Sequence, residues 1–100
     1  MQAQSRRYVC GKFMVMGALY DTLEKLKWKL LSANSDAGIL MVAERKVDMP
    51  FLIRVCPIQA DEVEVIMELA SGTFSDRDSP EENVALLFET LTHIIENAFA

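Results

Sequence analysis

Histidine, cysteine and glycine are scarce in this chain, and each shortage closes off a class of function. Among 100 residues there is one histidine, His93, and there are two cysteines, Cys10 and Cys56. A zinc site built from Cys and His needs four such ligands, and these three, with no C-x-x-C spacing, fall short. The two thiols read as reduced and structural, since a chain of this length can bury a core without a staple. The four glycines, Gly11, Gly17, Gly38 and Gly72, each stand alone, so no glycine-rich phosphate loop is present. No apolar run reaches the ~20 residues that cross a bilayer, and no charged-then-apolar leader with a cleavage site opens the sequence. The chain as given is expected in the cytoplasm, or in the envelope if it is an excised mature domain.

What is present is apolar. Hydrophobic residues make up 51% and charged residues 25%, a composition that supports one globular domain over residues 1–100. Only residues 1–5, MQAQS, are expected to be frayed. The net charge of −5 is unevenly spread. Through Arg54, nine Lys and Arg stand against five acids; from Val55 onward, Arg77 alone faces ten. A chain acidic overall is a poor nucleic-acid binder, because that affinity is built on phosphate neutralisation.

Periodicity orders the elements. Arg6 to Val15 reads as a strand. From Gly17 to about Lys27 the period turns helical, with Leu19, Leu23, Leu26 and Leu30 recurring on one stripe. Trp28 would lie off that stripe, so the helix is expected to stop near Lys27 and "WKLLSA" to extend away, with the indole used in packing. "NSDAG" is a turn by composition. Ile39–Val47, Phe51–Ile58 and Glu62–Ala70 follow as strands. In the last of these, Val63, Val65, Met67 and Leu69 alternate with Glu62, Glu64, Ile66 and Glu68. From Pro80 on, Val84, Leu87, Phe88, Leu91, Ile94, Ile95 and Ala98 share one broad helical stripe. The expected fold is α+β in two layers: an antiparallel meander of three to five strands with two helices on one face, in the order β-α-β-β-β-α.

The most site-like stretch is "SGTFSDRDSPEEN", Ser71 to Asn83. As a calcium loop starting at Asp76 it fails, because Glu81 stands where glycine is required and Leu87 where a bidentate glutamate is required. As a helix start it fits at every position. Ser79 is the cap, Pro80 takes the first helical place, and Glu82 completes the S-x-x-E capping box. No catalytic residue, metal ligand or cofactor site emerges elsewhere. His93 falls off the apolar stripe of its helix, with no nucleophile placed beside it. Glu62, Glu64 and Glu68 form a solvated ladder rather than a buried acid pair. The chain does not read as an enzyme.

One feature points outward. If Ile39, Met41 and Ala43 face the helices, then Leu40, Val42, Leu52 and Ile66 face away. They are framed by Glu44, Lys46, Arg54, Glu64 and Glu68. That is an apolar patch with a charged rim, suited to a protein partner or a second copy of the chain. Arg54 and Glu64 would set register, and Val42→Glu is expected to abolish association without unfolding. A second reading is a pocket for a small apolar ligand lined by Met14, Met16, Met41 and Met67. A third is an anionic membrane held by Arg6, Arg7, Lys25, Lys27 and Lys29.

"LKWKLLSANSDAGILMVAE" and "SGTFSDRDSPEENVALLF", with the strands between them, resemble small helix-grip-like domains of the bacterial envelope, including lipoprotein families. That resemblance implies a non-enzymatic envelope role. The "RRYVCGKF" start and the "LKW" helix exit are also similar to the kinase-associated C-terminal domain, which implies binding to anionic membranes or to a kinase. Neither family has a motif that assigns a functional residue here.

Overall fold

A computed structural model describes residues 2–44, 50–70 and 80–98. The elements, in chain order, are β1 (Gln4–Tyr8), α1 (Lys12–Leu26), β2 (Lys29–Asn34), β3 (Ile39–Ala43), β4 (Pro50–Gln59), β5 (Glu62–Leu69) and α2 (Pro80–Ala98). All strand pairs are antiparallel, and the sheet order is β1-β5-β4-β3-β2. The fold is therefore α+β with a five-stranded sheet. Four consecutive strands form a meander, and β1 joins the far edge beside β5. The chain order is β-α-β-β-β-β-α, one strand more than the sequence suggests.

The core follows from alternation and register. In β5, Val63, Val65 and Met67 are fully buried; in β4, Phe51, Ile53 and Val55 match them. Pairing sets Ile53 beside Met67 and Val55 beside Val65, so the apolar sets of both strands lie on one face. The helices cover that face with Val15, Leu19 and Leu23 of α1 and Val84, Leu87, Phe88, Leu91 and Ile95 of α2. Thr22, a buried polar residue of α1, donates its hydroxyl to the Ala18 carbonyl at 2.7 Å. A helical threonine can satisfy itself within its own helix in this way.

The helix exit behaves as the Trp28 argument requires. Lys27 takes the left-handed conformation, φ 59° and ψ 36°, and ends α1. The Lys27 amide donates to the Glu24 carbonyl at 3.2 Å and the Trp28 amide to that of Leu23 at 3.0 Å, a Schellman closure. Trp28 then turns inward, 8% exposed, and its ring lies 5.8 Å from that of Phe51 at 17°.

At the amino end the expectations need correcting. The strand ends at Tyr8, and α1 begins at Lys12 rather than Gly17. Gln4 and Ser5 are not frayed; they pair with Met67 and Ile66 of β5. The physical reason is position: an edge strand is held by backbone hydrogen bonds on one side and can carry polar side chains. Phe13, read as a strand residue, sits in the first turn of α1 and is 82% exposed. Strand β3 ends at Ala43, so Glu44 is not part of it; residues 45–47 of its expected span, together with Ser71 to Ser79 and hence the Ser79 cap, lie outside the described residues. Helix α2 does begin at Pro80, with Glu81 and Glu82 in its first turn, where the helix dipole favours negative charge.

Gly38 closes the turn between β2 and β3 with φ +69°. A Cβ there would come 2.5 Å from the Val55 carbonyl oxygen. The two residues are also tied by a 2.7 Å hydrogen bond from the Val55 amide to the Gly38 carbonyl. Gly38→Ala is therefore expected to lower stability by about 2 kcal/mol, from a left-handed alanine plus a backbone clash. Chemical denaturation checks this, and an unchanged midpoint would refute it.

Candidate functional site

The register decides which side chains face away from the helices. Leu40 stands opposite Ile53 and Val42 opposite Phe51, so both belong to the core, and both are 0% exposed. Their expected place on the open face is corrected: β3 has the opposite phase. Ile39 and Met41 point outward instead, opposite Arg54 and Leu52. Leu52, Arg54, Glu64 and Ile66 lie on the open face as the sequence suggests. Across the sheet, one row runs Asn34, Ile39, Arg54, Ile66, Ser5, and the next runs Ser32, Met41, Leu52, Glu68. Among the described residues, neither helix covers this face.

Apolar and charged side chains interleave on this face, with Arg54 of the central strand between Ile39 and Ile66. Met41, Leu52 and Ile66 are half-buried by their neighbours, and Ile39 is exposed. Arg54 meets Glu68 at 3.1 Å on the diagonal, and Arg7 lies 3.8 Å from Glu62 and 3.9 Å from Glu64. The β5 carboxylates thus stand between an arginine of β1 and one of β4. Such partly exposed pairs contribute under ~1 kcal/mol each, so their role is to set local charge more than to hold the fold. Cys56 also faces this side, opposite Glu64, with its thiol free.

A second feature lies beside the helix layer. A groove of about 580 Å³ is lined by Arg6, Lys25, Phe88, Glu89, Thr92 and His93, among others. The Arg6 guanidinium lies 4.9 Å from the Phe88 ring centroid, a cation–π contact. His93 is exposed, the side that the helical period assigns it. Sequence reading missed this groove because its walls come from β1, α1 and α2, which no local pattern connects. Two bases, two acids (Glu89 and Glu96) and two threonines line it, so it favours no single ligand charge. Among the described residues, no three His, Cys, Asp or Glu side chains are placed to share a metal ion.

The same register separates the residues of the other two readings. Met16 and Met67 are core, while Met41 is on the far face of the sheet, so the four methionines do not line one pocket. Arg7 is on the open face beside acids, and Lys29 starts the edge strand opposite β1. Among the described residues, no helix is long and apolar enough to cross a membrane.

Beneath the groove, the Tyr8 hydroxyl and Thr92 Oγ1 share a 2.8 Å hydrogen bond that joins β1 to α2. Burial pushes the Tyr8 phenol above its ordinary value of 10.0, outweighing Thr92 and Arg6, which pull it down. Burial likewise pushes the Cys10 thiol above 9.0. A group with a raised folded pKa binds its proton more tightly when folded. Its stabilisation is complete below the unfolded value and is lost as pH rises through the folded one. Stability is therefore expected to fall from about pH 9 upward, first through Cys10 and then through Tyr8. Tyr8→Phe should lose about 1 kcal/mol at pH 7 and show a shallower alkaline decline. A decline as steep as that of the parent chain would place its cause elsewhere.

No protein-family model matches this chain, and no curated protein is similar to it at a meaningful level.

Proposed function

We propose that this protein is a non-enzymatic interaction domain that docks a protein partner through the open face of its sheet. The observation that supports the reading is the row structure of that face. Ile39, Met41 and Leu52 are neighbours on β3 and β4, Ile66 stands across Arg54 from Ile39, and the Arg54–Glu68 pair together with Glu64 and Arg7 sets charges of both signs among and beside them. Docking removes the apolar area from water, and the charges of both signs beside it select the partner's orientation. Leu52, Arg54, Glu64 and Ile66 keep the roles read from sequence, and Ile39 and Met41 take the places of Leu40 and Val42.

The test puts a photo-reactive phenylalanine analogue at Met41 and irradiates living cells that make the protein. A discrete protein adduct that disappears with Ile66→Glu is the expected result. Adducts that are missing, or that form equally from Glu24 on the exposed side of α1, would sink the reading.

A further inference from the structure

Two features of α1 have no reason within the fold. Phe13, in the first turn, is 82% exposed, so most of its ring meets solvent. Gly17 stands exposed in the middle of the same helix, where glycine costs stability because it has more freedom to lose than alanine. Among the described residues, a Cβ added at Gly17 would meet no atom within 4 Å. Their packing therefore does not ask for glycine there. The buried side of α1 carries Val15, Met16, Ala18, Leu19, Thr22 and Leu23. At the helical period Phe13 and Gly17 lie together on the opposite side, one turn apart. A bare aromatic ring thus stands next to a gap in the helix surface.

We propose that one contact uses both: α1 packs antiparallel on α1 of a second copy, about a two-fold axis midway between Phe13 and Gly17. Such an axis exchanges the two positions, so each Phe13 ring lies over the Gly17 of the other copy. The missing Cβ lets the two backbones approach closely, and the ring fills the space between them. The choice of a second copy rests on this self-fit. A foreign partner would use the ring or the gap alone, whereas an isologous contact needs both on one face, at positions the axis exchanges.

Charge selects the direction. Asp21 and Glu24 are exposed farther along the same side of α1, and a parallel pairing would set each against itself. The antiparallel pairing holds the two Asp21 about 18 Å apart along the helix and the two Glu24 about 27 Å apart. Both separations exceed the Debye length of about 8 Å at physiological salt. The contact is small, which places it among weak, concentration-dependent associations. It lies on the side of α1 that faces away from the sheet, so it neither needs nor blocks docking on the open face.

The experiment is sedimentation equilibrium on the full chain over a wide concentration range. A monomer–dimer equilibrium is expected. Phe13→Gly removes the ring and Gly17→Phe fills the gap, and each should raise the dissociation constant roughly 10-fold or more. Combining them exchanges ring and gap, which the same axis maps onto the parent arrangement, so the double variant should recover the dimer. Gly17→Ala should also weaken the dimer, yet raise the unfolding midpoint of the dilute, monomeric protein. Trp28 fluorescence confirms that each variant is folded. A mass of one chain at every concentration overturns the proposal. So does a dimer indifferent to either single variant, or one that the double variant does not recover. A Gly17→Ala midpoint below that of the parent would mean that the glycine serves this chain's own fold, and overturns it too. If Ile66→Glu breaks the dimer while Phe13→Gly leaves it intact, the copies meet through the open sheet face instead.

Discussion

Val42→Glu is expected to unfold the protein at neutral pH. Val42 is fully buried and stands between Leu30 and Phe51 in the middle of the sheet, on the face under the helices. A carboxylate there would lose its water with no cation among the described core residues to pair it, a loss of about 4 kcal/mol or more. A protein of this size has about 5–15 kcal/mol in total, so the variant should be largely unfolded or close to it. The loss should shrink as pH falls, because burial raises the pKa of the introduced acid and its protonated form is tolerated better. One residue away, Met41→Glu enters the open face and should change stability by less than about 1 kcal/mol. Denaturant titration followed by Trp28 emission separates the pair. A Val42→Glu variant as stable as the parent would mean that β3 has the reverse phase.

The second large effect concerns the contact that fixes the start of the meander. Phe51→Ala is expected to destabilise by about 4 kcal/mol, the usual range for a deleted core aromatic. Phe51 is fully buried, and its ring stacks on Trp28 at 5.8 Å. That stack ties β4 to the residue just after the left-handed turn at Lys27. Removal should therefore free the indole as well as open a cavity. The expected signature is a lower unfolding midpoint together with Trp28 emission shifted to longer wavelength in the folded baseline. A loss under about 1 kcal/mol, with the emission unmoved, would show that the core closes over the missing ring.

These two residues also mark where sequence reading succeeds and where it stops. In β5 every second residue from Glu62 to Glu68 is polar except Ile66, so the phase is legible from the letters alone. Strand β3 reads ILMVA, five apolar residues in a row. With no polar residue to mark a face, period two carries no phase, and only pairing with Phe51 and Ile53 decides it. Four of the six candidate surface residues, Leu52, Arg54, Glu64 and Ile66, were placed by the alternation of β4 and β5. Leu40 and Val42 depended on the unreadable strand.

Strand β1 was half hidden for a related reason. Gln4, Ser5, Arg6 and Arg7 bury little and are ordered by the backbone ladder to β5, which side-chain patterns do not register. The Arg6–Phe88 groove needs the same long-range pairing before it exists. The α2 stripe was legible from Val84 to Ile95, because it repeats over several turns, while Ala98, read on the same stripe, is exposed.

The position of β1 bears on how the protein is made. Its hydrogen-bonding partner is β5, so the two strands that must meet are separated by α1 and the whole of the rest of the sheet. During synthesis, at about 5–20 residues per second, β1 leaves the ribosome several seconds before β5 exists to receive it. Meanwhile the meander from β2 onward can zip through adjacent hairpins, each closing a short loop at low entropic cost. The strand that emerges first is thus the last to be enrolled. Until β5 is made, Arg6, Arg7 and Tyr8 lack the strand they pair with, and the acidic edge of β5 stays open until β1 reaches it.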